Sequence, residues 1–202
     1  MKGPLKRIEI AGGIASGKTT LARLLKRVDL APVHENFRKN PFYLAFYRDP
    51  SGTALETEIT FLLQHYHEQK RATASRRSFC ADFSLLLDHA YACVTLPRSD
   101  QRLFEVVLRR VGRDLPKRSL LIHLVCTPET ELKRIRRRQR HAERAITLNY
   151  LKDINRTLEL RVKAVSGSEN ILTIDSGIVD FAQRRQSKTD VLARVRKALA
   201  GR

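Results

Sequence analysis

The chain has 202 residues, and 39 Lys and Arg against 21 Asp and Glu leave a formal net charge of +18. Hydrophobic residues at 42% supply one sizeable core, and this length leans towards a single domain. No apolar run reaches the ~18 residues that a membrane span needs, and the opening MKGPLKRIEIAGG has no long apolar segment of the kind a secretory signal carries.

The three cysteines, Cys80, Cys93 and Cys126, lie in or near apolar runs without metal-ligand spacing, and an odd count argues against a disulfide framework. They read as buried free thiols of a cytoplasmic protein. The positive charge attracts polyanions, with phosphorylated small molecules and nucleic acid as the candidate classes.

The first predicted strand covers 7–11. It leads into GGIASGKT (12–19), which fits G-x-x-x-x-G-K-[ST] with Gly12, Gly17, Lys18 and Thr19 at the fixed positions. Residues 20–26 read as the first turns of a helix, with Leu21, Leu24 and Leu25 on one face. Strand, glycine loop and helix in this order make a phosphate cradle. Glycines accept the backbone angles that let N–H groups wrap a phosphate, and the helix N-terminus adds its positive end. The candidate nucleotide-binding residues are Gly12, Gly13, Ile14, Ala15, Ser16, Gly17, Lys18, Thr19 and Thr20. Lys18 is expected to reach the β- and γ-phosphates of ATP and Thr19 to ligate Mg²⁺.

A second short strand is predicted at 30–34 and delivers Glu35 at its C-terminal end. The segment 36–53 is aromatic and turn-rich, with Asn40-Pro41 and Asp49-Pro50-Ser51-Gly52 as turn signals. A long helical pattern follows over 54–71, with Leu55, Ile59, Leu62, Leu63 and Tyr66 on its buried stripe. The third strand, 78–83, carries Asp82 at its end. Helices are predicted at 84–96 and 101–113, then a fourth strand at 120–126 whose near-continuous apolar run suits a parallel sheet. A basic helix over 128–140, a helix over 148–165, a fifth strand over 171–175 and a final amphipathic helix over 189–199 complete the chain. Alternating strands and helices predict an α/β fold, a parallel sheet with helices on both faces. Ligands bind beyond the carboxyl ends of such strands, where the glycine loop, Glu35, Asp82 and Thr127 all fall.

The glycine loop is followed by HENF (34–37), NPFYLAFYRDP (40–50), FLLQHY (61–66), DFSLLLD (82–88), LIHLVCTPETELKRIRRRQRHAE (121–143), NYL (149–151) and ILTID (171–175). In that order and spacing the chain resembles the deoxynucleoside kinase family, in particular its bacterial deoxyadenosine/deoxyguanosine kinase type, over nearly its whole length. The resemblance implies a P-loop NTPase fold with a five-stranded parallel sheet, one domain over 1–202 with a basic lid at about 133–144, and a homodimer that serves nucleoside salvage. It also implies transfer of the γ-phosphoryl of ATP to the 5′-hydroxyl of a deoxynucleoside or close analogue.

By that resemblance Glu35 is the general base at the 5′-hydroxyl, a task that suits a carboxylate at a strand end; the structural alternative is a capping or ion-paired glutamate. Asp82 matches the acidic member of the family's Glu/Asp-Arg-Ser motif near Mg²⁺, so that Thr19 and Asp82 form the expected metal site. Asp88 matches an aspartate that contacts the base, or is simply solvated. Arg138 and Arg140 match lid arginines over the transferring phosphate, and Glu143 matches a lid glutamate near the sugar. Lys133, Arg134, Arg136, Arg137 and Arg144 exceed what catalysis needs; they are solvated or hold a polyanion.

Three departures stand out. The motif reads Asp82-Phe83-Ser84, so the arginine that meets the phosphates and the 5′-oxygen is a phenylalanine, a loss worth ~10²-fold unless another group compensates. Glu58 aligns with a base-reading glutamine, and an ionised glutamate only accepts hydrogen bonds. His65 stands where relatives often have arginine. Phe83 and Glu58 leave one alternative beside the kinase, a nucleotide-binding sensor or partner-binding module without nucleoside kinase activity, and the net charge of +18 leaves another, a kinase for a nucleotide or a nucleic-acid end.

Overall fold

A parallel sheet in the order β2-β3-β1-β4-β5 carries the molecule. The computed structural model describes residues 4–201. The strands are β1 (Arg7–Gly12), β2 (Ala31–Val33), β3 (Phe79–Ala81), β4 (Leu120–Val125) and β5 (Ile171–Asp175). All pair in parallel, with Ile8 of β1 beside Leu120 of β4 and Gly12 beside Leu124. The five expected strands are therefore present, although β2 and β3 are shorter than the sequence suggested.

The helices cover both faces of this sheet. On one, Ile8, Ile10, Ile122, Leu124 and Ile174 pack against Leu21 and Leu25 of α1 (Lys18–Leu25) and Val191 and Val195 of α8 (Arg185–Ala200). On the other, Ala11 and Leu121 meet Leu87 and Ala90 of α4 (Leu85–Thr95) and Leu158 and Val162 of α7 (Leu148–Val165). Burying both faces explains why β1 and β4 read as apolar runs rather than alternating ones. Each such Leu or Ile contributes roughly 1.5–3 kcal/mol.

Two charges break the apolar run of β1. Glu9 is fully buried and paired with Arg7 and Arg118. Arg7 Nε also donates to Gln69 Oε1 of α3 (Pro50–Ala74) at 2.7 Å, and Arg118 Nε to Glu169 Oε2 at 2.8 Å. Burial disfavours the Glu9 anion, but the two guanidinium groups outweigh it and hold the carboxyl below its usual range. This network sits at the end of the sheet opposite the glycine loop.

Helix starts follow local chemistry. Asp49 caps α3 by accepting from Gly52 N, with Pro50 at the first helical position, and Ser84 caps α4 by accepting from Leu87 N. Thr127 and Thr147 do the same for α6 (Pro128–Arg138) and α7. The predicted basic helix ends two residues early because Gln139 turns left-handed, with φ 50°. On α3, Leu62 is buried but Leu63 is 45% exposed, against expectation; Glu58 and His65 are buried instead. Cys80 is buried, whereas Cys93 and Cys126 are only partly covered.

Candidate active site

A single parallel direction brings the carboxyl ends of all five strands to one edge, and a cleft of about 1110 Å³ opens there. Its floor is the glycine loop. Ala15 and Gly17 take left-handed φ of 63° and 104°, which turns the loop around its centre. Gly17 caps α1 without a side-chain hydrogen bond, so the first N–H groups of that helix stay available. A Cβ on Gly13 would lie 2.0 Å from Glu131 Oε1, so the loop backbone rests directly on α6. Ser16 Oγ is buried inside the loop with no hydrogen-bond partner among the described residues. Lys18 Nζ donates to Gly12 O and Gly13 O, both at 2.9 Å. Desolvation lowers the Lys18 pKa, while Glu35, Glu131 and Asp82 pull it back up. Glu131, buried behind the loop, is pushed up to about 7 by burial, against a hydrogen bond from Asn155.

The next wall comes from the ends of β2 and β3. Asp82 Oδ1 accepts Glu35 N at 2.7 Å, and Asp82 Oδ2 accepts His34 Nδ1 at 2.9 Å. The two strand ends are thereby clamped, and the Glu35 side chain, 36% exposed, opens on the cleft. Burial alone would raise the Glu35 pKa, but His65, Lys18 and Arg140 hold it below the usual carboxylate range. His65 Nε2 lies 3.3 Å from Glu35 Oε1, close enough for an ion pair but out of line for a hydrogen bond.

Deeper in the cleft, α3 and α4 face each other. Asp88 gives its carboxylate to His65 Nδ1 at 2.9 and 3.0 Å. Burial raises the Asp88 pKa, against the pull of His65. Glu58 Oε1 accepts Thr95 Oγ1 at 3.0 Å. Burial pushes the Glu58 carboxyl up to about 8, with Asp88 adding to the shift. Burial thus favours the neutral acid form, which both donates and accepts, over the acceptor-only anion. Tyr43, Tyr47, Tyr91 and Tyr150 line the same region; burial raises all four phenols, Tyr43 to about 12.

The basic segment closes the cleft from above. Arg138 forks onto Glu143, Nε to Oε2 and Nη2 to Oε1, both at 2.6 Å, and Arg140 Nη1 reaches Oε1 at 3.2 Å. The Arg140 guanidinium also lies over the Phe37 ring, 4.7 Å from its centroid. Two of the remaining basic residues have structural partners. Arg134 donates to Ala15 O at 3.3 Å and Ser176 O at 2.7 Å, and Arg136 donates to Arg144 O at 2.6 Å.

Lys18, Glu35, Glu58, Asp82, Asp88, Arg138, Arg140 and Glu143 all line this one cleft with residues 14–20; Gly12 and Gly13 lie behind its surface. Sequence reasoning missed His34, which anchors Asp82, and the Glu131–Asn155 support under the loop. His34 and Glu131 fall inside the segments 34–37 and 121–143, but nothing in those segments marks these contacts. The aromatic run 36–53 was visible, but its fold over the cleft depends on buried Asn40, whose Nδ2 donates to Thr57 O at 3.0 Å.

The family model described as Deoxynucleoside kinase matches residues 8–200. The deoxyguanosine kinase of Bacillus subtilis (strain 168) is 25% identical over 201 residues, covering 95% of this chain and 97% of that protein. A deoxyadenosine kinase of Dictyostelium discoideum is 28% identical over 153 residues, covering 73% and 62%. Among solved structures, deoxyadenosine kinase from M. mycoides with bound dATP superposes with a TM-score of 0.80 at 20% identity, covering 94% of this chain and 99% of that one. The same enzyme with the products dCMP and a flexible dCDP gives 0.82, also at 20% identity.

Proposed function

Because the chain belongs to the deoxynucleoside kinase family, we propose that it transfers the γ-phosphoryl of ATP to the 5′-hydroxyl of a deoxynucleoside or close analogue. The observation that carries this reading is the cleft itself. An uncapped helix N-terminus and Lys18 stand at its floor, and Glu35, held below the usual carboxylate range, opens into the same space.

Transfer of this kind rests on positioning and on neutralising charge rather than on covalent chemistry. The loop N–H groups and Lys18 hold the triphosphate, and the unpartnered Ser16 hydroxyl fits a loop built to close on a phosphate. Glu35 takes or orients the 5′-hydroxyl proton, which an ionised carboxylate does well. Arg138 and Arg140 bring two guanidinium groups over the transferring phosphoryl, with Glu143 setting their place and facing the sugar. The base lies among the aromatic side chains, where Glu58 in its acid form offers one donor and one acceptor as a glutamine would. Asp88 borders the same pocket.

Magnesium fits these donors as an ion that keeps most of its water. Among the described residues no three acidic, imidazole or thiol groups cluster as ligands, and Asp82 already accepts two protein N–H groups. Thr19 and Asp82 would hold such an ion together with phosphate oxygens, and its charge would offset that of the phosphates. The whole chain acts in this proposal as one domain with a lid at about 133–144, as a cytoplasmic homodimer. No helix among the described residues is long and apolar enough to cross a membrane.

The test is ATP-to-ADP conversion by the purified protein with Mg²⁺, adding each deoxynucleoside and ribonucleoside singly, with Lys18→Ala as control. Turnover that depends on one nucleoside and vanishes in Lys18→Ala is the expected result. ATP binding without stimulation by any nucleoside would overturn the proposal and favour the sensor reading.

A further inference from the structure

Phe83 and His65 are the two cleft residues that depart furthest from the expected charge pattern, and they touch. The Phe83 ring, buried to within 1% of its surface, lies on the His65 imidazole with centroids 4.1 Å apart and planes inclined by 10°. Phe61, one turn earlier on α3, approaches the same imidazole at 5.8 Å. These contacts fix the plane of the ring, and with it the direction of both nitrogens. Nδ1 is bound to Asp88 from α4. Nε2 is buried, has no aligned hydrogen-bond partner among the described residues, and stands 3.3 Å from Glu35 Oε1. Among the described residues His65 is the one ion-pair partner of Glu35.

Building on the kinase reading, we propose that His65 is the positioning residue that replaces the missing motif arginine. Clamped by Asp88 and stacked on Phe83, it serves as a fixed imidazolium that orients the Glu35 carboxylate towards the acceptor hydroxyl. The two departures meet in one ring-on-ring contact. The flat apolar ring at 83 supplies the surface on which the imidazole rests.

The surrounding charges support a charged ring. Asp88 faces it from α4, Glu35 from the segment after β2 and Glu58 from two turns earlier on α3, while Lys18 and Arg140 act on Glu35 from the loop and lid. Burial opposes the charge, but the Asp88 and Glu35 carboxylates outweigh it and raise the His65 pKa to about 10.

Steady-state kinetics of His65→Gln and His65→Arg test the proposal. His65→Gln should lower kcat about 100-fold, the scale of one lost charge-stabilising donor, and leave KM for ATP unchanged. His65→Arg, and the double variant His65→Gln with Phe83→Arg, should recover most of that loss by restoring a cation. A folded His65→Gln enzyme with kcat within about twofold of wild type would overturn the proposal, as would a folded His65→Arg enzyme no better than His65→Gln. Should His65→Gln fail to fold, imidazole ¹⁵N shifts of the wild-type protein near neutral pH decide instead. Both nitrogens should be protonated, and a neutral ring would overturn the proposal. Absence of nucleoside-dependent turnover in wild type would overturn the kinase reading and with it the positioning role; the ¹⁵N shifts separate that failure from failure of the imidazolium itself.

Discussion

The Phe83 ring covers the His65 imidazole face to face, 4.1 Å between centroids, so the apolar side chain in the motif is part of the packing that aims a polar one. Replacing it tests how much of the site depends on that stack. Phe83→Ala should lose about 3 kcal/mol of stability, the low end for emptying a buried phenylalanine site. Urea denaturation measures it; a loss under about 1 kcal/mol would mean that the cavity collapses and the stack contributes little.

Glu58 gives a pH dependence with a definite sign. Its folded carboxyl titrates near 8, so the acid form that donates to a base is present below that pH and lost above it. The KM for the nucleoside should rise as pH passes about 8, with KM for ATP flat. Glu58→Gln, neutral throughout, should abolish the rise. An unchanged rise in Glu58→Gln would assign it to another group.

The basic segment 133–144 is held by Glu143, buried beneath Arg138 and Arg140. Glu143→Ala leaves two guanidinium groups close together without their counter-charge. Limited trypsin digestion should cut within 133–144 faster in this variant than in wild type, and ATP should protect wild type more. Equal cleavage rates would mean that the segment is held by Arg136 and its carbonyl partners rather than by the Glu143 fork.

At the far end of the sheet, Glu9 is held below its usual 4.5 by Arg7 and Arg118, against the opposing effect of burial. A lowered folded pKa contributes stability that is present above 4.5 and lost as pH falls through the folded value. Glu9→Gln should cost about 3 kcal/mol near neutral pH, because it leaves buried guanidinium groups short of an anion. It should also flatten the acid side of the stability curve. Urea midpoints across the acid range check both.

Gly13 and Gly112 make a matched pair. A methyl on Gly13 meets Glu131 Oε1 at 2.0 Å, whereas one on Gly112 in α5 (Arg98–Arg113) meets nothing within 4 Å. Gly13→Ala should abolish measurable ATP binding in calorimetry. Gly112→Ala should retain it and gain about 0.5–1 kcal/mol from helix propensity. Normal ATP binding by Gly13→Ala would mean that α6 yields rather than the loop.

The phosphate loop, the five strands and the alternation of helices were legible because each is a local pattern. A glycine spacing, an apolar run or a capping residue acts within a few positions of itself. Glu35 and Asp82 were legible as strand-end carboxylates for the same reason. Their clamp through Glu35 N was not, since it joins residues 47 positions apart. The charge states belonged to tertiary structure entirely. Burial raises the Glu58 carboxyl, and Asp88 and Glu35, which arrive from two other elements, raise the His65 imidazole. Sequence alone determined the glycine-loop end of the cleft. Folding decided the acceptor end, because protonation depends on burial and on the charges that distant segments bring within a few ångströms.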